Sequence, residues 1–404
     1  MKFDFTSIID RHGKDALAVD SIGASVPWAE VPTSPKEGFD AIPMWVADMN
    51  FKTAPTITKA MKERLEHPLF GYFNPTDEYF DCIINWQKKR NNVTDLEKEN
   101  ICYENGVLGC VSSVIRTYTK KGDKILLHSP TYIGFTHVLE DTERIAELSP
   151  LKLDENGRWT MDYEDMDRRI KENNIKVCIF CSPHNPCGRV WEKEEIEKAF
   201  EVYKNNDCIV VSDEIWSDIL LDGNKHIPTQ SVNEDARNRT VACYALSKTF
   251  NLAGLVGSYS IIYDEKLKSE VLKTENETHY NALNVLCEHA IYGAYNEEGE
   301  AWVSELNEVL SKNMGFAYDF IKTNFKGVQV SKPEGTYMLL LDCTEYLKEK
   351  ELKINELIQK GWDVGVAWQK GDAFHVPNGI RMNLALPFSK VEEAFERLKN
   401  HVFL

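Results

Sequence analysis

Four residues with useful chemistry each follow a short apolar stretch of this 404-residue sequence. They are, in chain order, Tyr132, Asn185, Asp213 and Lys248. A lysine amine can act as a nucleophile or a base, a carboxylate can hold a proton on a cationic ring nitrogen, and an amide can donate to an oxygen. If the apolar stretches are parallel strands, ligands bind outside their carboxyl ends, and these four residues belong to one site.

A phosphate group would also find a place at that edge. Residues 105–108 (NGVL) open a stretch with helical spacing of apolar residues from Val107 to Tyr118. Free N–H groups and the dipole at a helix start suit a phosphate. Pyridoxal phosphate (PLP) needs a lysine for its aldehyde, a carboxylate for its ring nitrogen, an asparagine, an aromatic face and a phosphate cradle. We therefore predict PLP as the cofactor.

These residues need a sheet to position them, and the sequence predicts one. Short, β-prone apolar runs occur at 124–128, 177–181, 208–212, 241–247 and 259–263. Polar stretches with helical spacing, such as 191–206, separate several of them. Continuous apolar strands that alternate with helices are typical of an α/β fold. We predict a large domain with a mainly parallel, mixed sheet that is covered by helices on both faces.

The pattern changes after about residue 295, where a long amphipathic stretch (301–325) begins the last quarter of the chain. Strands are predicted near 337–342, 364–368 and 380–386. Ser389 and Glu392 have capping-box spacing for a last helix. We predict a smaller α+β domain formed by the N- and C-terminal segments. The predicted division is an N-terminal segment 1–48 that joins the small domain, a large PLP-binding domain 49–295 and a small C-terminal domain 296–404.

Composition argues against several classes of protein. The chain carries 47 basic and 64 acidic side chains, and its net charge of −17 repels nucleic acid and anionic membrane surfaces. No apolar run approaches the roughly 18 residues of a spanning helix. The N-terminus shows no basic region followed by an apolar stretch. We expect a cytoplasmic protein with neither a nucleic-acid nor a membrane partner.

The ten cysteines are too sparse for a disulfide framework. Cys178 and Cys181, with Cys187 beyond them, have a spacing that could suit a metal ion. However, the sequence VCIFC is typical of a buried strand, in which residues three apart face opposite ways. No second Cys or His pair has zinc-site spacing. We therefore predict reduced, buried thiols and no metal site.

Five motifs in a fixed order carry a family resemblance. They are SPTY at 129–132, SPHNPCGRV at 182–190, SDEIW at 212–216, ALSKTFNLAG at 245–254 and GIRMNLAL at 379–386. Through them the chain resembles the fold-type I PLP-dependent enzymes, the superfamily of the class I and II aminotransferases, over nearly its whole length. Any one motif alone is weak evidence, but five at the family's spacing are highly specific.

The resemblance implies a role for each matching residue. Lys248 would be the catalytic Schiff-base lysine, Asp213 would pair with the pyridine nitrogen, and Tyr132 would stack on the ring and serve catalysis. Asn185 would contact the ring oxygen and, with Arg381, would bind the substrate, whose α-carboxylate the guanidinium would hold as a bidentate fork. The residues that would hold the phosphate are Gly106, Val107, Leu108 and Ser247.

Three departures distinguish the chain from ordinary aminotransferases of this superfamily. Val256 stands eight residues after the lysine, where an arginine usually contacts the phosphate. Ala245 replaces a serine, and Trp216 replaces a tyrosine. These differences weaken a prediction of a plain aminotransferase.

Other segments resemble the cystathionine β-lyase, or C–S lyase, branch of the superfamily. They are residues 44–51 (MWVADMNF), 70–72 (FGY) and SKTFNLAG. In that branch Tyr72 would reach into the neighbouring subunit's site, contact the cofactor phosphate there and serve substrate binding and catalysis. The resemblance therefore implies a homodimer with shared active sites.

The implied function is a PLP-dependent carbon–sulfur β-lyase that cleaves L-cystathionine or related S-substituted cysteines, including cysteine, to a thiol, pyruvate and ammonia. An aminotransferase stays open, because it shares every step up to removal of the α-proton and no residue excludes it. A PLP-fold protein with a regulatory or binding role also stays open, although such a protein would not need Lys248.

Each candidate residue also has a purely structural explanation. A lysine after a strand is usually solvated, Asp213 with Glu214 could cap a helix, and Asn185 before proline is a common turn. Arg381 could form a surface ion pair, and aromatic side chains beside apolar runs are more often core residues. The functional prediction depends on the whole set rather than on any single member.

Overall fold

A computed structural model describes residues 1–24 and 30–404. Its strands are β1 (Ile42–Pro43), β2 (Ile101–Glu104), β3 (Lys124–Ser129), β4 (Ile145–Pro150), β5 (Lys152–Leu153), β6 (Trp159–Thr160), β7 (Val177–Cys181), β8 (Ile209–Asp213), β9 (Thr240–Ala245), β10 (Ser258–Ile261), β11 (Gln329–Val330), β12 (Met338–Asp342), β13 (Val366–Ala367), β14 (Gln369–Lys370) and β15 (Gly379–Asn383). Its helices are α1 (Leu17–Asp20), α2 (Pro55–Leu65), α3 (Asp77–Asn91), α4 (Val107–Tyr118), α5 (Ile133–Asp141), α6 (Tyr163–Asn173), α7 (Lys193–Asn205), α8 (Glu234–Arg239), α9 (Leu246–Thr249), α10 (Glu265–Thr278), α11 (Val285–Ala294), α12 (Glu297–Asn324), α13 (Thr344–Glu349), α14 (Ile354–Asp363) and α15 (Phe388–His401). None of these helices is long and apolar enough to cross a bilayer.

Seven strands form the central sheet, in the order β2-β10-β9-β8-β7-β3-β4. The five strands from β9 to β4 in this order run parallel, while β10 runs antiparallel to both of its neighbours. Every residue of β7 and β9 is buried, as expected for strands that are covered on both faces. The predicted mainly parallel, mixed sheet is confirmed.

The two outer strands of this sheet were not predicted. β4 is exposed or half-buried along most of its length, and β2 has only four residues. Neither therefore shows the long, continuous apolar run by which the inner strands could be recognised. The edge of a sheet has fewer neighbours to bury side chains against, so its sequence pattern is weaker.

Helices pack on both faces of the central sheet. On one face, α4, α5 and α10 share a core with Ile179 and Cys181 of β7. On the other face, α6 and α7 cover Cys178 and Phe180 of the same strand. The two cysteines therefore face opposite ways, as strand geometry predicts. All ten cysteines are free thiols, and all are buried except Cys82, which is half-buried.

The smaller part of the fold combines both ends of the chain. A four-stranded antiparallel sheet, in the order β11-β12-β15-β14, packs against α12 and α15. From the N-terminal segment, β1 pairs in parallel with β13. Asn296 caps the 28-residue helix α12 by accepting hydrogen bonds from the N–H groups of Glu298 and Gly299. The exact division at residues 48 and 295 stays a prediction.

The last helix does not start with the predicted capping box. α15 begins at Phe388, directly after Pro387, and within the described chain no side chain caps it. Ser389 is already the second helical residue, so its hydroxyl is not in the capping position. Proline at the boundary starts the helix earlier than the serine would, because its fixed φ angle suits a helix entry.

The packing of α11 on α2 depends on the lack of a side chain at Gly293. A Cβ atom there would lie 2.5 Å from the Cα atom of Ile57 and 2.6 Å from the carbonyl oxygen of Thr56. We predict that Gly293→Ala lowers the free energy of unfolding by about 1–3 kcal/mol, because backbone must shift to admit the methyl group. Urea denaturation followed by circular dichroism measures the effect.

The matched control is Gly315→Ala in the middle of α12, where an added Cβ meets nothing within 4 Å. This variant should raise the free energy of unfolding by about 0.5–1 kcal/mol, because alanine is the better helix former. Equal effects of the two variants would contradict the packing argument.

Candidate active site

The carboxyl ends of the parallel strands meet at one edge of the central sheet. Cys181 at the end of β7 lies opposite Asp213 at the end of β8, and Asp213 lies opposite Cys243 of β9. Each of the strands β3, β7, β8 and β9 ends at or just before one of the four predicted residues. Strand register therefore brings together side chains that are far apart in the sequence.

Asp213 is a buried carboxylate with little protein hydrogen bonding. Among the described residues, its side chain accepts one hydrogen bond, from the N–H of Ile215 at 3.1 Å. Burial raises the pKa of Asp213 to about 6, although the Lys248 ammonium opposes the shift. A turn at 215–218 follows β8, so the alternative that Asp213 and Glu214 cap a helix is wrong. A carboxylate in this setting suits a protonated ring nitrogen as its partner.

Lys248 lies in α9, directly after β9, and is half-buried. Its Nζ donates to the carbonyl oxygen of Ala47 at 2.9 Å. Burial and the guanidinium of Arg381 lower the pKa of Lys248 to about 8, while the carboxylates of Asp48 and Asp213 oppose the shift. A fraction of the amine is therefore neutral near pH 7, as a nucleophile or a base requires.

Arg381 enters the site from β15 of the smaller sheet. Its Nη1 lies 3.5 Å from Oδ1 of Asn185, and its Nη2 donates to the carbonyl of Trp45 at 3.2 Å. Nη2 also donates to Oε1 of Gln369 at 2.6 Å, and the guanidinium lies over the ring of Phe374. Burial lowers the pKa of Arg381 to about 10, so the group is still a cation at neutral pH.

The guanidinium of Arg381 has capacity left for a ligand. Its Nε is buried without a hydrogen-bond partner, and no carboxylate among the described residues pairs with it. A buried cation without an anion is costly, and a bound carboxylate would remove that cost. Arginine binds carboxylates through two parallel hydrogen bonds, so the arrangement fits the α-carboxylate of an amino acid.

The start of α4 is an uncapped helix N-terminus at the same sheet edge. Gly106 precedes the helix with a φ angle of 88°, which favours glycine. Within the described ranges, no side chain caps the helix, and the N–H groups of Val107 and Leu108 have no acceptor. These N–H groups are available to an anion such as a phosphate. A Cβ on Gly106 would lie 3.5 Å from Cγ1 of Val256, so the Val256 side chain lies beside this helix start.

Tyr132 lies against the same helix start. A Cβ on Gly134 would lie 2.4 Å from Cε1 of the Tyr132 ring and 3.0 Å from Cδ1 of Leu108, so the glycine leaves room for the ring beside the cradle. Burial raises the pKa of the Tyr132 hydroxyl, although Arg381 opposes the shift. Ser247 directly precedes Lys248 in α9 and is half-buried. These positions permit ring stacking and phosphate contact.

Tyr72 does not join the other predicted residues within one chain. It lies in the coil between α2 and α3 and is fully exposed. Its neighbours Leu69, Phe70 and Phe73 are exposed as well. The role predicted for Tyr72 needs a second subunit.

Glu214, which sequence analysis treated only as part of a possible cap, is a buried anchor beneath Asp213. Its two carboxylate oxygens accept hydrogen bonds from the hydroxyl of Ser212, Nε2 of His226, the N–H and hydroxyl of Thr229 and the hydroxyl of Tyr244. Burial would raise the pKa of Glu214, but His226 and these hydrogen bonds hold it below its ordinary value of 4.5. The only signal in the sequence was a second acid beside Asp213.

The backbone of residues 45–49 also lines the site, which sequence analysis did not predict. All five of its carbonyl groups accept hydrogen bonds from side chains. The donors are Arg381, Asn383, Lys248, Tyr337, Asn251 and Arg11. The MWVADMNF motif marked this segment as part of the family pattern. However, residue periodicity cannot show that its carbonyl groups are what the site uses.

Comparison with known proteins agrees with this geometry. The family model for class I and II aminotransferases matches residues 42–398. The cystathionine β-lyase PatB of Bacillus subtilis is 34% identical over 364 residues, 89% of this chain and 92% of that protein. The PLP-bound C–S lyase of Staphylococcus hominis is 30% identical over 100% of this chain and 99% of that chain, with a TM-score of 0.88. A PLP-bound protein of Clostridium difficile 630, provisionally described as an aminotransferase, is 36% identical over 99% of both chains, also with a TM-score of 0.88.

Replacing Glu214 tests its role as an anchor. Glu214→Gln removes the anion beside His226 and turns one acceptor oxygen into a donor. We predict that it lowers the free energy of unfolding by about 3–5 kcal/mol at pH 7, as measured by urea denaturation. Because the pKa of Glu214 is lower in the folded chain, its contribution is present above about pH 4.5 and is lost as the pH falls.

The difference between the wild type and Glu214→Gln should therefore shrink between pH 7 and pH 4. The control is Glu345→Gln at an exposed position, which should change the free energy of unfolding by less than about 0.5 kcal/mol. A difference of the same size at both pH values would show that charge is not the cause.

Proposed function

The chain belongs to the class I and II aminotransferase family, and we propose that it is a PLP-dependent carbon–sulfur β-lyase. Its substrates are L-cystathionine or related S-substituted cysteines, including cysteine. The reaction is an α,β-elimination that releases a thiol and aminoacrylate, and water then hydrolyses the aminoacrylate to pyruvate and ammonia.

One observation carries this proposal. The lysine amine, the buried carboxylate, the unpaired guanidinium and the uncapped helix start converge at one sheet edge, in a chain that is 34% identical to a cystathionine β-lyase. Each of the four groups matches one need of an amino-acid reaction on PLP. If these charged side chains served only to stabilise the fold, they would be paired with one another.

The residues present fit PLP. The carboxylate of Asp213 suits the ring nitrogen, the amide of Asn185 suits the ring oxygen, and the ring of Tyr132 suits stacking. The phosphate would be held by Gly106, Val107, Leu108 and Ser247, with Tyr72 of a second subunit. When bound, the cofactor withdraws electrons from the substrate α-carbon.

The chain's own groups orient the substrate and move its protons. The guanidinium of Arg381 binds the α-carboxylate, with Asn185 beside it. Lys248 then accepts the α-proton at Nζ, which its pKa of about 8 allows near neutral pH. Asp213 holds the proton on the ring nitrogen. The Cβ–S bond breaks readily because a thiolate is a stable anion, and Lys248 or a nearby tyrosine protonates the sulfur.

An aminotransferase is the second candidate function. The matched family model carries that name, and so does the provisional description of the Clostridium difficile protein. Val256 and Ala245 count against it, because ordinary aminotransferases of the superfamily have arginine and serine at these positions. Product analysis distinguishes the two reactions.

A homodimer with shared sites would complete this active site. Five large apolar side chains are exposed within residues 65–73: Leu65, Leu69, Phe70, Tyr72 and Phe73. Such a concentration of exposed apolar surface marks an interaction site. We propose that a second copy of the chain covers it and that Tyr72 reaches the cofactor phosphate and the substrate there. We also propose a cytoplasmic location, because ten free thiols suit a reducing compartment.

The reaction is tested by product analysis with L-cystathionine and PLP in the absence of any keto acid. We predict continuous release of pyruvate and free thiol, measured with lactate dehydrogenase and a thiol reagent. Lys248→Ala should lower the rate by at least about 1,000-fold, because it removes both the covalent attachment point and the base. Lys326→Ala, at an exposed position, is the matched control and should retain the full rate.

Turnover that occurs only with an added keto acid would show that the chain is an aminotransferase and not a lyase. If PLP binds and neither reaction occurs with several S-substituted cysteines, the regulatory alternative would take its place.

Subunit complementation tests the shared site. Tyr72→Ala and Lys248→Ala homodimers should each be nearly inactive. When the two are mixed and allowed to exchange, half of the dimers are hybrids, and each hybrid has one intact site. The mixture should therefore recover about a quarter of the wild-type activity. Light scattering should give the mass of two chains, and a lack of recovery in proven hybrids would show that each subunit works alone.

A further inference from the structure

Lys248 shares its hydrogen-bond acceptor with a second donor, the buried Tyr337. The carbonyl oxygen of Ala47 accepts from Nζ of Lys248 and from the hydroxyl of Tyr337, both at 2.9 Å. A carbonyl oxygen has two lone pairs and can accept both bonds. The ring of Trp216 completes the group, because its centre lies 5.5 Å from Nζ and 4.6 Å from the ring centre of Tyr337.

This carbonyl group is held in place independently of the lysine. Asn383 donates through its side-chain amide to the carbonyl groups on both sides of Ala47. Asn251 binds the N–H and the carbonyl group of Met49 with its amide oxygen and nitrogen, both at 2.9 Å. The acceptor is therefore fixed when the lysine moves, as a preorganised site requires.

Tyr337 can only be a donor to this carbonyl group. Its side chain is fully buried, and burial with the nearby carboxylate of Asp48 raises the pKa of its hydroxyl well above the usual value, although Arg381 opposes the shift. The phenol keeps its proton throughout the pH range in which an enzyme works. It therefore shares the oxygen with Lys248 throughout that range.

We propose that the Ala47 carbonyl, the Trp216 ring and the Tyr337 hydroxyl form a holding site for the amino group of Lys248 whenever the substrate has displaced that group from the cofactor. This inference rests on the proposed function, since only a lysine that is released and recaptured needs such a site. Trp216 and Tyr337 are positioning residues that act through Lys248.

The two aromatic residues should act on Lys248 in opposite directions. The π face of Trp216 favours the ammonium form of the lysine. The hydroxyl of Tyr337 weakens the ammonium form, because it uses part of the acceptor capacity of the shared carbonyl. The other charged groups that face Lys248 are Arg381 from β15, Asp48 from the 44–51 segment and Asp213 from β8, and they are the same in both variants.

The test measures the protonation of Lys248 in the full-length chain after removal of PLP. Acetic anhydride reacts only with neutral amines, and mass spectrometry of the Lys248 peptide gives the labelling rate as a function of pH. The wild-type midpoint should lie near pH 8. Tyr337→Phe should raise the midpoint by about 0.5 pH units, and Trp216→Leu should lower it by about 0.5 pH units. Trp216→Phe, which keeps a ring, should show a smaller shift in the same direction as Trp216→Leu.

The matched control is Tyr346→Phe. Tyr346 is also a buried tyrosine whose hydroxyl donates to a backbone carbonyl, that of Val402 at 2.9 Å, but it lies in α13 of the smaller part of the fold. The labelling midpoint of Lys248 in the Tyr346→Phe variant should equal the wild-type value. Unchanged midpoints in the Tyr337 and Trp216 variants, or shifts in one common direction, would overturn the holding site.

A second measurement uses the PLP-loaded enzyme with L-alanine, which has no leaving group at Cβ. Exchange of its α-hydrogen with deuterated water, followed by proton NMR, requires a free lysine that is held near the α-carbon. Tyr337→Phe should raise the pH midpoint of this exchange and Trp216→Leu should lower it, as in the labelling experiment. If the enzyme has lyase activity but both variants leave the midpoint of α-hydrogen exchange unchanged, the holding site is overturned and the proposed function stands. Absence of PLP binding, with the labelling shifts present, would instead overturn the proposed function.

Discussion

The register of β7, β8 and β9 is the constraint on which the site depends. Because these strands are parallel and paired without a slip, Cys181, Asp213 and Cys243 lie side by side at one edge. A shift of one residue would turn every side chain of the moved strand to the opposite face. Burial of both faces prevents such a shift, since each face has its own apolar core. The same apolar residues that stabilise the sheet therefore fix the distances between the catalytic groups.

The site is built from two buried charges and one half-buried charge that are not paired with one another. Burial raises the pKa of Asp213, and it lowers the pKa of both Lys248 and Arg381. In the described parts of the chain, none of the three forms a direct ion pair. Such an arrangement is costly until a ligand with complementary charges binds. An amino acid on a pyridine cofactor has complementary groups: a carboxylate for the guanidinium and a ring nitrogen for the carboxylate.

The sequence predicts the sheet and the groups at its edge because both have local sequence patterns. Continuous apolar runs mark the inner strands, and motifs directly after them mark Lys248, Asp213 and Asn185. The edge strands β2 and β4 lack such runs, and Ser389 shows that a correct motif spacing can still miss the start of a helix. The contacts of the 45–49 backbone could not be predicted. They use carbonyl groups, which every residue has, and partners that, apart from Arg11, are hundreds of positions away.

That separation in sequence has a consequence for the biosynthesis of the protein. The hydrogen bond between Arg381 and the carbonyl of Trp45 spans 336 residues, and the two bonds of Asn383 to the same segment span 337 and 335 residues. During translation the segment leaves the ribosome well before its partners Tyr337, Arg381 and Asn383. The central sheet can form on the nascent chain before these partners of the segment have been synthesised. Assembly of the reactive centre thus requires synthesis of the chain at least as far as Asn383, so a chain that terminates between Lys248 and Tyr337 retains its lysine without the setting that makes it reactive.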